Sequence, residues 1–199
     1  MTSIAYRPPP EAGPLAGISW RVLHWLGWRI VLPAPVPAKC VVLVYPHTSN
    51  WDFPLGLFAQ WALCLHVRWV GKDTLFRWPM RWFFLRWGGI PVNRRERTGF
   101  AEAMRDAFAR SDGMRLVITP EATRSYVDHW KSGFYHIARA AGVPVALAFI
   151  DYPRREVGFL GQVDLTGSIA DDMAVIAQRY AGKTGRNPEC QGPVRLREG

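Results

Sequence analysis

The chain has 199 residues, a length that suits one domain with a sizeable core. Its 25 Lys and Arg against 16 Asp and Glu give a formal charge of +9, so anionic partners are expected: nucleic acid, acidic lipid headgroups or acidic carrier substrates. Three cysteines without CxxC spacing argue against a disulfide framework and for a reducing compartment, and the histidines lack metal-ligand spacing, so no metal is expected.

In chain order, a Pro-rich stretch at residues 7 to 14 reads as extended and is followed by an amphipathic segment from Leu15 to Leu32. That segment lacks the layout of a signal peptide, and Arg21, His24 and Arg29 make it a poor spanning helix. At 100° per residue Leu15, Val22, Leu26 and Ile30 share one face, with the basic residues grouped away from it. This predicts a helix lying in the bilayer interface, with Trp20, Arg21, Trp25, Trp28 and Arg29 as membrane contacts. The alternative is a helix packed on the protein's own core.

Beyond it, strands are expected at 40 to 45, 67 to 71, 89 to 93, 115 to 119, 143 to 150 and 158 to 164. Helices are expected near 53 to 65, 77 to 87, 98 to 111, 130 to 141 and 169 to 181. Alternating elements predict an α/β fold: a mostly parallel central sheet covered by helices, with its site at the strand ends. The expected division is an N-terminal extension with the amphipathic helix at 1–35, the main domain at 36–182 and a loose tail at 183–199, rich in Gly, Pro and charge. The ten Trp residues are interleaved with Arg at 20 to 29 and 77 to 87, as interfacial anchors are. Such mixtures also stack on single-stranded nucleic acid, but no nucleic-acid motif accompanies them, and no nucleic-acid partner is expected. The stretch Phe76 to Trp87 could grip an apolar chain or a membrane, although core packing explains Phe83 and Phe84 equally well.

The chemistry concentrates where apolar runs end. Val41-Val42-Leu43-Val44-Tyr45-Pro46 delivers His47, and a turn through Thr48-Ser49-Asn50 can fold Asp52 back onto the imidazole. A carboxylate there would hold one ring nitrogen protonated and leave the other to take a proton from a hydroxyl. Taken alone, the pair reads first as a helix cap or an ordinary hydrogen-bonding pair. Leu116-Val117-Ile118 leads to a second cluster, Pro120-Glu121-Ala122-Thr123-Arg124-Ser125, and between the two lies Gly88-Gly89-Ile90-Pro91-Val92-Asn93-Arg94.

This ordered set resembles the glycerolipid acyltransferase superfamily, which includes the lysophosphatidic acid acyltransferases. The resemblance covers roughly residues 40 to 152 in four blocks: His47 to Asp52, Gly89 to Arg94, Glu121 to Ser125, and Val143-Pro144-Val145. Ala122 stands where the family usually has Gly, a change that matters little unless the backbone there needs positive φ. Pro91 and Asn93 replace a usual Phe and Asp in a block that lines the family's acceptor pocket, and Leu147 replaces a second Pro.

The resemblance implies acyl transfer from a thioester, acyl-CoA or acyl carrier protein, to a hydroxyl of a lysophospholipid or glycerol-phosphate-like acceptor. No cofactor is implied. His47 would be the general base and Asp52 its orienter. Ser49, two residues along a turn from His47, is badly placed for a nucleophile. Arg94 and Arg124 suit an acceptor phosphate, because guanidinium forks match its oxygens. Glu121 and Thr123 enter the acceptor site by family likeness, though Glu121 could instead pair with an arginine, and Lys131 reads as solvated. Alternatives are a lyso-ornithine or other lyso-lipid acceptor, a thioesterase, or a lipid-binding module without catalysis. The expected location is cytoplasmic, peripheral on the inner face of the cell membrane.

Overall fold

The computed structural model describes residues 6–92 and 99–197. In chain order the elements are α1 (Gly13–Trp25), β1 (Arg29–Val31), β2 (Lys39–Val44), α2 (Asp52–Ala62), β3 (Val67–Lys72), α3 (Met80–Arg86) and β4 (Gly89–Val92). They continue with α4 (Phe100–Arg110), β5 (Met114–Ile118), α5 (Gly133–Ala141), β6 (Val145–Asp151), β7 (Glu156–Val163) and α6 (Ile169–Tyr180). The expected α/β fold is present. All strands join one sheet in the order β1-β7-β6-β2-β5-β3-β4, parallel throughout except where β6 meets β7.

The unbroken apolar runs reflect burial on both sheet faces. Val41 and Leu43 of β2, with Val145, Leu147 and Phe149 of β6, face a core shared with α4, α5 and α6. Their neighbours Cys40, Val42, Ala146, Ala148 and Ile150 face the other side, against α1 and α2. On that second face the side chains are small, and small residues leave room. Gly56 and Ala59 of α2 lie opposite Ala148 and Gly158, and between them the sheet and α2 enclose a cavity of about 600 Å³.

The expected helix from Leu15 to Leu32 stops at Trp25. Gly27, at φ +79°, turns the chain there, with its N–H bonded to the His24 carbonyl and the Trp28 N–H bonded to that of Leu23. That pair of bonds is a Schellman ending, which Gly permits because it carries no Cβ penalty in the left-handed region. The chain then enters β1 at the sheet edge, so Ile30 is a strand residue buried in the core.

The expected membrane contacts separate accordingly. Trp28 is buried against Tyr152, and Trp20 is half-buried with its indole N–H on the Tyr6 carbonyl at 3.1 Å. Arg29 pairs with Glu156 at 3.1 Å. Arg21 and Trp25 stay exposed, in line with an outward apolar stripe of Leu15, Ile18 and Leu26. Ala16, Ser19 and Leu23 dock α1 on the core, so the helix is present and packed. Among the described residues no helix is long and apolar enough to cross a membrane.

Candidate active site

Parallel strands β2, β3, β4, β5 and β6 all end at one edge of the sheet, where side chains from distant parts of the sequence converge. β2 runs out at Val44 and α2 starts at Asp52, so seven residues, 45 to 51, carry the chain past His47 from strand end to helix start. His47 Nδ1 lies 3.0 Å from Asp52 Oδ2, in a contact that falls short of a linear hydrogen bond. Such bonds often tighten only when substrate binds. With Nδ1 turned to the carboxylate, Nε2 is the nitrogen left for substrate.

Asp52 Oδ2 also accepts the Ser49 N–H at 3.0 Å, a bond across the turn that leads into α2. The bond that closes the turn before α2 therefore also helps to aim the carboxylate at His47. Oδ1 accepts the Tyr152 hydroxyl at 2.8 Å. Burial and this bond to Asp52 push the Tyr152 phenol well above its ordinary range, so it stays a donor. Ser49 is buried, and its Oγ accepts the Trp51 N–H at 3.2 Å.

The Glu121 side chain is buried behind the site, outside the cavity lining, and Oε2 accepts the His47 backbone N–H at 2.8 Å. Burial raises its carboxyl to about 7, against the pull of the His47 and Gly192 N–H groups. Its other oxygen, Oε1, is buried without a partner. Thr123 and Arg124 do reach the cavity, at the end where His47, Asn50 and Lys72 also line it. Arg94 lies outside the described residues. Among the described residues no three His, Cys, Asp or Glu side chains gather as metal ligands would.

Ala122 has φ +56°, so the backbone does need the left-handed region at the position where the family usually has Gly. A Cβ in that region costs on the order of 1 kcal/mol. Ala122→Gly is therefore expected to stabilise the fold by up to about 1 kcal/mol, a rise of roughly 2 to 4 °C in Tm for a chain of this size. Thermal melts of the two proteins check this, and an unchanged or lower Tm would refute it.

The expected loose tail is instead a strap. Asn187 donates its backbone N–H to Thr48 Oγ1 at 3.1 Å and its side-chain amide to the Thr48 carbonyl at 2.8 Å. Gln191 donates to the Tyr45 hydroxyl at 3.0 Å, and that hydroxyl donates to the Gly192 carbonyl at 2.7 Å. A side chain at Gly192 would collide with the Val127 carbonyl, so the strap lies hard against the loop that follows Glu121. Both loops that carry the motif are held from outside by these residues. Tyr152 and the strap escaped sequence reasoning because neither carries a local pattern; only the fold brings them to residues about 100 or more positions away.

The cavity runs inward from His47 and Arg124 along the inner side of α2, past Phe53, Gly56 and Gln60 to Leu63, over Val42, Ala148 and Val157 of the sheet. Its outer end is polar and its depth is apolar.

Comparisons with known proteins bear on the family and the fold. A family model described as acyltransferase matches residues 29–149. No curated protein matches the chain. Among solved structures, the 1-acyl-sn-glycerophosphate (LPA) acyltransferase PlsC from Thermotoga maritima is similar, with a TM-score of 0.58 at 19% identity, covering 85% of this chain and 77% of that one. At that identity the likeness concerns the fold.

Proposed function

The chain belongs to the acyltransferase family, and from that premise we propose that it moves a fatty acyl group from a thioester donor to a hydroxyl of a lysophospholipid or glycerol-phosphate-like acceptor. The carrying observation is His47, backed by Asp52 at 3.0 Å, at the polar end of an apolar cavity. In this reading His47 Nε2 takes the proton of the acceptor hydroxyl as its oxygen attacks the thioester carbonyl. The tetrahedral intermediate collapses by breaking the C–S bond, and the thiolate recovers the proton from the imidazolium. Products are an ester and a free thiol. Asp52, held by Ser49 and Tyr152, fixes the ring and steadies its charge.

The apolar depth suits the acyl chain, since each buried methylene contributes about 0.8 kcal/mol. Arg124 and Thr123 at the mouth suit an anionic headgroup. Cys40, Cys64 and Cys190 are unpaired, which supports work on the cytoplasmic side, at the inner face of the membrane. Incubating the protein with labelled acyl-CoA or acyl carrier protein and lysophosphatidic acid, glycerol 3-phosphate or a lyso-ornithine lipid tests the reading. Acylated product is expected with a phosphate-bearing acceptor. Release of free fatty acid without transfer would make the protein a thioesterase.

Arg124→Lys keeps the charge but loses the two-pronged fork. It is expected to raise the acceptor KM about tenfold, by loss of a charge-assisted bond of roughly 1.5 kcal/mol. The donor KM should stay within a factor of two or so. Initial rates over both substrates separate these effects, and an unchanged acceptor KM would leave Arg124 as a surface charge.

A further inference from the structure

Between the end of β3 and the start of β4 the chain presents an unusual amount of apolar surface to solvent. Trp78 is 92% exposed and Trp82 66%, and Leu75, Met80, Phe83 and Leu85 are each more than 40% exposed. The segment is anchored from beneath. Phe76 is buried and Phe84 half-buried, packed against Trp69 of β3, and Phe84 also meets Phe53 of α2. Scattered exposed apolar residues are ordinary, but large aromatics gathered in one short segment mark an interaction site.

The charge of the same segment is one-sided. Lys72, Arg77, Arg81 and Arg86 face one carboxylate, Asp73, and all of these side chains are exposed. A surface with both apolar and cationic members suits a boundary that is apolar beneath and anionic above. Tryptophan rings settle at such a boundary, while Arg stems lie along the apolar layer and their heads reach the phosphates. At seven residues α3 cannot enter the bilayer end-on, so it would lie in the interface plane.

Its position adds the second observation. Lys72, Leu75 and Phe84 of this segment also line the cavity that His47 and Arg124 open onto. The packed helix α1 lies against α2 on the same side of the sheet, and its Leu15, Ile18 and Trp25 are exposed as well.

We propose that the surface formed by residues 72–86, centred on Trp78 and Trp82, is the main docking face of this protein on an anionic bilayer, and that it sets the mouth of the cavity against the lipid. The sequence pattern assigned this role to the segment from Leu15 to Leu32. The structure moves the larger share to α3 and the turn before it, because Trp28 is buried and Trp20 and Arg29 are engaged within the protein. A lipid chain could then pass between bilayer and cavity without crossing water. This placement rests on the acyl-transfer reading, but vesicle binding is measured without turnover, so either can fail alone.

Sedimentation with vesicles of phosphatidylcholine and phosphatidylglycerol tests the proposal on the full chain. Trp78→Ala with Trp82→Ala is expected to lower partitioning at least about tenfold, while Trp25→Ala lowers it less. Arg77→Glu with Arg81→Glu keeps the aromatics and is expected to abolish the preference for anionic over neutral vesicles. Thermal melts of all variants should match the parent, because these side chains stand in solvent. Wild-type sedimentation by both double variants would overturn the proposal. So would intact vesicle binding with loss of binding to an acidic acyl carrier protein, which would make this face a protein dock.

Discussion

Replacing His47 with Ala is expected to lower turnover about 10²- to 10⁴-fold in a protein that still folds, since that is what a positioned general base contributes. The imidazole lines the cavity, so its loss widens existing space rather than opening a sealed void. Asp52→Asn should fall in the same range for a different reason. An amide aimed at Nδ1 no longer selects the tautomer that leaves Nε2 free to accept a proton. Tyr152→Phe separates positioning from chemistry. The base and carboxylate remain, but Oδ1 loses the hydroxyl now at 2.8 Å, so the carboxylate is held less firmly against the ring and kcat is expected to fall by roughly tenfold or less with both KM values kept. Near-normal turnover by a folded His47→Ala protein would end the mechanism.

The order of strands and helices was legible because burial on two faces leaves a strong mark: runs such as Val41 to Val44 and Val145 to Ile150 have few other readings. β1 was missed because three residues at a sheet edge, Arg29 to Val31, continue the apolar spacing of α1. Gly27 was the available signal for the break. His47 and Asp52 were legible because they are local, five residues apart around one helix start. What was not legible is what lies behind and around them. Glu121 carries a family signature, yet its side chain turns inward to a backbone N–H, and a residue type does not announce which way it points. Tyr152, Asn187 and Gln191 meet the motif only through tertiary structure. The cavity was half legible. Gly56, Ala59, Ala148 and Gly158 are small, but only the sheet register sets those absences facing each other.

Glu121 gives the second large effect, on stability rather than rate. Its carboxyl is 2% exposed and raised from 4.5 to about 7, chiefly by burial. Between those two values the folded protein keeps a proton that the unfolded chain has released. More protons are then bound to the native state, so stability falls as pH rises through this window. At 1.36 kcal/mol per unit, the loss is on the order of 3 kcal/mol once the pH passes 7. Glu121→Gln keeps a carbonyl to accept the His47 N–H and has no charge to desolvate. The variant should therefore match the parent near pH 4.5 and exceed it by up to about 3 kcal/mol at pH 8. Denaturant midpoints at several pH values between these limits measure the difference directly. Parallel curves for the two proteins would show that the buried carboxyl does not titrate in this window. The same variant also tests its role: a Glu121 that positions His47 from behind leaves the acceptor KM unchanged on substitution, whereas one that touches the acceptor raises it without altering the pH dependence of stability.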